Sequence, residues 1–136
     1  MASDFAIVFG RTGRKVSVLF FQAVMIGEQK FAVACDSPSM QRIYRLSAAY
    51  RVPVLMHWQA SSFNFGFERF YKMLEKFPQA TFIGHAPTWW AHIDQEHREA
   101  GQKLYPSGKV SAGGLTDRYL RDYPNLYGDL AAGSGA

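Results

Sequence analysis

The sequence contains little cysteine and no long hydrophobic run. Cys35 is the only cysteine among 136 residues, which excludes an intrachain disulfide and a metal cluster built on cysteines. A single free thiol is typical of a reducing compartment, and we predict a cytoplasmic location. No run approaches the ~20 apolar residues that a membrane span needs. We therefore predict no membrane partner.

Positive charge is in slight excess, but it does not form a patch. There are 15 Lys and Arg residues against 11 Asp and Glu, a net charge of +4. Only Arg11, Arg14 and Lys15 cluster, and no aromatic side chains alternate with them. A nucleic-acid surface needs a broader basic patch with stacking residues. We therefore predict no nucleic-acid partner.

Signatures of nucleophilic and phosphate chemistry are also missing. The chain has no G-x-S-x-G elbow. The segment GRTGRK at 10–15 lacks the spacing and the Lys-Ser/Thr ending of a phosphate-binding loop. Cys35 precedes a predicted helix start, which can lower the pKa of a thiol, but the sequence places no histidine beside it. A nucleophilic cysteine is a weaker alternative than the metal chemistry considered next.

The chain does contain apolar material in strand–helix order. It is 48% hydrophobic and 15% aromatic, enough for the core of one domain, residues 1–136. The predicted strands cover 4–10, a segment ending near Glu28, 52–57, 81–85 and 126–130, and residues 16–26 are predicted to hold a further short strand or a helix. The predicted helices run from a Ser37-Pro38 start to about Tyr50, from 67 to 77, briefly after 86, and from 117 to 122 behind a Thr116 cap. Alternating strands and helices predict an α/β fold with a parallel sheet.

Two of the predicted strands end in a histidine, His57 in VPVLMH and His85 in TFIGH. Parallel α/β folds hold their ligands at the carboxyl ends of the strands, and neighbouring strands lie about 4.8 Å apart. Either histidine alone is explained as well by a hydrogen bond to a loop carbonyl. The pair at equivalent positions predicts a divalent metal site, and neutral imidazoles suit zinc.

Two histidines are too few for a catalytic zinc, which usually has three protein ligands and a water. The third ligand is predicted to be Glu28, Asp129 or a residue from another copy of the chain. Glu28 and Lys30 lie in GEQK, just past a predicted strand. This segment is either a solvated loop or a carboxylate and an ammonium at the mouth of a barrel.

Longer segments of the sequence resemble one protein family. GEQKF, ACDSP, PVLMHWQ, FERFYKMLEKFPQATFIGHAPTWWAHID, GGLTDRYLRDYPNLYGDL and AAGSG are similar, in order and spacing, to a bacterial branch of the amidohydrolase superfamily. That branch belongs to the metal-dependent hydrolases of TIM-barrel fold. The resemblance covers about residues 22–135 and does not extend to 1–21.

The resemblance implies a place in the barrel for each candidate. His57 and His85 match the metal-binding histidines of strands five and six. Glu28 or Lys30 falls near the ligand position of strand four, and Asp129 falls at the end of strand seven, which is not a usual ligand position. The family's His-x-His pair of strand one and its aspartate of strand eight have no counterpart in the chain.

These departures predict half of a TIM barrel, about strands four to seven. A full barrel has about 250 residues, roughly twice this length. Half a barrel would expose two sheet edges and an apolar inner face, which favours aggregation. We therefore expect self-association into a homodimer or a higher homo-oligomer, with two halves related by two-fold symmetry. Each half would bring two imidazoles to the shared centre.

The implied function is a metal-dependent hydrolase that acts on an ester, amide or related bond of a small molecule. Glu28, Lys30 and Asp129 are the catalytic candidates, as a third ligand, a carbonyl-polarising group or a general base. Four loop aromatics are predicted to wall the substrate pocket: Trp58, Phe63, Trp89 and Trp90. The alternative is a catalytically silent half-barrel oligomer without the missing ligands. Decarboxylation of a small aromatic acid, known elsewhere in the superfamily, is not distinguished by these residues.

Overall fold

In the computed structural model, the chain is described at residues 25–98 and 108–129, and in the backbone of two strands at 6–12 and 15–21. The strands are β1 Ala6–Thr12, β2 Lys15–Phe21, β3 Ile26–Gln29, β4 Val54–His57, β5 Phe82–His85 and β6 Leu126–Gly128. The helices are α1 Pro38–Tyr50, α2 Tyr71–Lys76, α3 Pro87–Ala91 and α4 Leu115–Asp122, with a 3-10 turn over Phe67–Arg69.

Strands β3 to β6 form one parallel sheet in the order β3-β4-β5-β6, with a helix in each crossover. This confirms the predicted α/β class and the parallel sheet. The sheet is open, and no closed barrel is formed by the described strands. Strands β1 and β2 pair antiparallel in a sheet of their own, so the first strands do not belong to the parallel series.

Helix α1 begins where its capping residues predict. The Oγ of Ser37 accepts a hydrogen bond from the backbone N–H of Met40 at 3.3 Å, and Pro38 occupies the first turn. The helix ends at Tyr50, and Arg51 follows in a left-handed conformation with φ of 54°. Tyr44 lies inside, with its ring edge-on to Phe82 at a centroid distance of 5.0 Å.

The core lies on one face of the parallel sheet. Val54, Met56 and Phe82 have no exposed surface and pack among the helices. Gly84 lies on the same face, and a Cβ there would come within 2.3 Å of the Trp89 ring. This close approach of an indole to the strand explains why glycine is needed in β5. None of the helices within the described residues is long and apolar enough to span a bilayer.

The opposite face of the sheet is only partly covered. Strand alternation places Leu55, Ile83 and Tyr127 there, and Tyr127 is 56% exposed. These residues line a groove of about 390 Å³ that also includes Met25 and Asp129. The histidines at the ends of β4 and β5 follow the same alternation, so they stand at the end of this open face.

Helices α2 and α4 begin differently from the prediction. The segment predicted to start an α-helix at Phe67 forms a 3-10 turn first, and α2 starts at Tyr71. Thr116 was predicted to cap the helix after it, but Gly114 holds the cap position of α4. The Thr116 hydroxyl is fully buried and donates to the carbonyl of Trp89 at 2.7 Å, because its side chain faces the core.

Candidate metal centre

Strands β4 and β5 bring the two histidines side by side. They pair in parallel with His57 opposite His85, and the ring centroids lie 5.3 Å apart. His57 is 8% exposed, and the side chain of His85 is 16% exposed. The predicted convergence of the two imidazoles at one sheet edge is confirmed, and it follows from equal strand lengths ending at equal register.

Strand β3 supplies a third group. Oε1 of Glu28 forms a hydrogen bond with Nδ1 of His57 and lies 2.9 Å from Nε2 of His85. Each of the three residues offers one ligand atom, and these atoms lie within 4.8 Å of one another. Of the two candidates within this chain for the third ligand, Glu28 and Asp129, Glu28 is the one that meets both histidines.

Gly27 allows β3 to carry Glu28 this close. Its φ is +144°, and a Cβ would lie 2.8 Å from the carbonyl oxygen of Leu55. Only glycine tolerates both the backbone conformation and the contact. The register of β3 against β4 also shifts between Ile26 and Gln29, which is why sequence spacing alone did not select Glu28.

Lys30 lies next to Glu28, and Asp129 lies next to His85. Nζ of Lys30 lies 2.8 Å from Oε2 of Glu28. Oδ2 of Asp129 lies 2.9 Å from Nδ1 of His85. The backbone N–H of Asp129 donates to the Gly84 carbonyl at 2.9 Å. Asp129 therefore faces the outer nitrogen of His85, on the side of the ring away from Glu28.

The charge state of Glu28 follows from its neighbours. Partial burial raises the pKa of the carboxyl group, but hydrogen bonds from Lys30 and His57 and their positive charge outweigh it. The net pKa lies below the ordinary value of a glutamate. Glu28 is therefore an anionic oxygen donor at neutral pH. Two imidazoles and one carboxylate are the donor set of known catalytic zinc sites, so these residues fit a divalent metal.

Two further residues of the site were not predicted from the sequence. Oε1 of Gln59 lies 3.1 Å from Nε2 of His57. The Asn64 side chain is 3% exposed and donates to the carbonyls of Gln29 at 2.5 Å and His57 at 2.8 Å. It thereby ties the ends of β3 and β4 together. The available signal was a polar residue in the loop just after the ligand strand, but sequence does not show which groups it reaches.

The loop aromatics divide between the core and the site. Trp58 and Trp89 have no exposed surface and pack in the core, so they do not wall a substrate pocket as predicted. Trp58 follows His57 directly and turns to the helix-covered side, where it meets Phe67 at a centroid distance of 4.9 Å. Phe63 is half-buried and stands edge-on to His57 at 5.6 Å. Trp90 is half-buried beside Trp89.

Cys35 is not a nucleophile in this fold. It has no exposed surface, and its Sγ donates to the Gly66 carbonyl at 3.2 Å. Burial raises the pKa of the thiol to about 12, so the reactive thiolate is scarce at neutral pH.

Comparisons with protein-family models, with curated proteins and with solved structures found no match to this chain. The case for a metal centre therefore rests on the geometry and chemistry of Glu28, His57 and His85.

Proposed function

We propose that the chain is a metal-dependent hydrolase of the amidohydrolase type, in the form of a partial barrel. A divalent ion, preferentially zinc, is held by Glu28, His57 and His85. The observation that supports this most directly is the convergence of the three donor atoms within 4.8 Å. When bound, the ion supplies Lewis-acid activation of a water for attack on an ester, amide or related bond.

The neighbouring charged residues hold the donors in place. Lys30 binds one carboxylate oxygen of Glu28, so the other oxygen stays directed at the histidines. Asp129 lies on the outer nitrogen of His85, where a carboxylate orients a metal-binding imidazole and raises its basicity. Lys30 is also near enough to the centre to polarise a substrate carbonyl. We assign Asp129 the orienting role rather than that of the third ligand.

Metal content tests this proposal directly. Purified chain is loaded with zinc, freed of excess by gel filtration and measured by elemental analysis. We expect about one zinc per chain, and a near-complete loss in His57→Ala and His85→Ala with retained circular dichroism. His97→Ala, outside the three-donor set, is the matched control. Wild-type protein that retains no zinc would refute the metal centre.

Hydrolysis is tested separately with a panel of chromogenic esters and amides. Activity should require zinc, disappear with a chelator and return when zinc is added back. Zinc binding without turnover of any panel member would favour the second candidate, a catalytically silent half-barrel oligomer. That candidate is favoured by one observation. Glu28 already contacts His57, His85 and Lys30 in the described structure, so its carboxylate has polar partners without an ion.

We also propose that a second copy of the chain covers the open face of the sheet. Parallel sheets are normally covered on both faces, and Leu55, Ile83 and Tyr127 are left partly exposed here. Two-fold pairing about an axis along the strands would place both metal centres at one shared mouth. Light scattering should give at least a dimer. Tyr127→Glu should weaken the assembly, whereas Leu46→Glu, at a 51% exposed position on α1, should not. A monomer at micromolar concentration would refute the pairing.

A further inference from the structure

The outward face of helix α1 carries positive charge and exposed apolar side chains together. Its members recur at the three- and four-residue spacing of one helix face: Arg42, Arg45, Leu46, Ala49 and Tyr50. Leu46 and Tyr50 are each 51% exposed. The helix contains no aspartate or glutamate between Pro38 and Tyr50, so it supplies no negative charge of its own.

Helix α2 adds a third cation, Lys76, to this face. Nζ of Lys76 donates to Oε1 of Gln41 at 2.8 Å, which places it beside α1. The Arg45 guanidinium and the Lys76 ammonium both lie 5.9 Å from the centre of the Phe77 ring, within the range of a cation–π contact. These contacts restrict both side chains. We call Arg42, Arg45 and Lys76 the basic strip.

The basic strip has no carboxylate partner within the part of the chain that the structure describes. The cations that form ion pairs there are other residues: Lys30, His57, Arg69, His85 and Arg121. The acidic residue of α2, Glu75, accepts a hydrogen bond from the Tyr123 hydroxyl at 2.9 Å. A partner that carries carboxylates would therefore meet positive charge that no neighbouring acid neutralises.

We propose that this face of α1 and α2 docks an acidic amphipathic helix of a partner protein. Residues 42, 46 and 50 form one ridge at four-residue spacing, and 41, 45 and 49 form the next. A ridge of a second helix packs into the groove between two such rows, and the small side chain of Ala49 leaves room for its approach. Arginine and tyrosine are enriched among the residues that dominate binding at protein interfaces. Because Arg45 and Lys76 are already positioned, less side-chain freedom is lost on binding.

Other occupants fit this face less well. A helix that lies in a membrane surface buries its whole apolar face in lipid. The apolar face of α1 packs in the core, and only Leu46 and Tyr50 are large apolar side chains left exposed on it. Two copies paired through this face would bring the same arginines together, and like charges repel. A nucleic-acid surface needs a broader basic patch.

Peptide selection on the full chain tests the chemistry of the partner. A phage library randomised on one face of a stable helical scaffold is first depleted on a variant with the strip reversed: Arg42→Glu, Arg45→Glu and Lys76→Glu together. It is then selected on wild type. We expect enriched sequences with acidic residues beside apolar residues four positions apart. No enrichment after depletion, or enrichment of neutral sequences, would overturn the proposal.

Single substitutions locate the binding site by fluorescence anisotropy of a selected peptide, with circular dichroism to confirm the fold. Arg45→Glu and Leu46→Ala should each weaken binding about 10-fold. Arg118→Glu makes the same charge change at an exposed position of α4, and Leu120→Ala makes the same truncation at a 40% exposed position. Both controls should bind as wild type does. If Arg118→Glu weakens binding as much as Arg45→Glu, the peptide responds to net charge alone and the proposal fails.

Two direct probes separate the other classes of partner. Wild type and Arg45→Glu are compared by sedimentation with phosphatidylserine vesicles and by gel shift with a DNA duplex. We expect the two proteins to behave alike with both probes. Binding of either probe that is present in wild type and lost in Arg45→Glu would assign this face to a lipid surface or to nucleic acid, and would overturn the proposal.

Discussion

Replacing Asn64 by alanine should remove the hydrogen bonds that hold the backbone of the metal centre in place. The Asn64 amide donates to the carbonyls of Gln29 and His57, at the ends of β3 and β4. These strands carry Glu28 and His57, so Asn64 fixes the distance between two of the three donors. With the side chain only 3% exposed, water cannot simply replace both hydrogen bonds.

The expected cost has two parts. Losing two buried hydrogen bonds costs about 1–3 kcal/mol of unfolding free energy. Asn64 also has a φ of 53°, and alanine in this left-handed region costs about 1 kcal/mol more. Asn64→Ala should therefore lose about 2–4 kcal/mol. Asn64→Gly tolerates the conformation and should lose only the hydrogen-bond part.

Asn125→Ala is the matched control. Its amide also donates to two carbonyls, those of Leu74 and Phe77 at 3.1 and 3.2 Å, but away from the donors. Urea denaturation should show both variants destabilised, whereas chelator competition should show weaker zinc binding only for Asn64→Ala. A loss below about 1 kcal/mol in Asn64→Ala, or equal zinc affinities in the two variants, would refute the reasoning.

Three further predictions concern the core and the surface. Cys35 should resist Ellman's reagent at pH 8 in the folded chain and react fully in guanidinium, because it is buried with a pKa raised to about 12; equally fast reaction in both states would contradict its burial. Gly84→Ala should lose about 1–3 kcal/mol in urea denaturation, since its Cβ would meet an indole at 2.3 Å. A Cβ at Gly128 would lie 3.5 Å from the Trp89 ring, so Gly128→Ala should lose clearly less unfolding free energy. Hydrogen bonding to Arg69 holds the pKa of Asp36 below its usual value. The ion pair therefore stabilises the folded chain above the unfolded-state pKa of about 4, and this stabilisation is lost as the pH falls through the lower folded-state pKa. Arg69→Leu should therefore flatten the acid limb of a stability–pH profile and cost about 0.5–1 kcal/mol at neutral pH, because the pair is partly exposed; an unchanged acid limb would count against the pair.

Local signals predicted much of the fold. The Ser37-Pro38 start of α1 was predictable because capping involves only four neighbouring residues. The apolar runs that end at His57 and His85 likewise predicted buried strands, and both strands form. The convergence of the two histidines was also predictable, because parallel strands of equal length end at one edge. The pairing of β1 with β2 was not predicted, because the sequence did not decide whether the apolar run after GRTGRK is a strand or a helix; once it is a strand, the short connection requires antiparallel pairing.

The sequence by itself determined that strands and helices alternate from β3 to β6, and that two imidazoles meet at the carboxyl ends of neighbouring strands. Only the tertiary structure decided that Glu28 meets both histidines while Asp129 faces the outer nitrogen of His85. It also decided that Trp58 and Trp89 belong to the core. The physical reason is that strand register and loop closure are set by packing between distant segments. A side chain's neighbours across the sheet depend on that packing, whereas its own strand or helix depends mainly on the residues beside it in sequence.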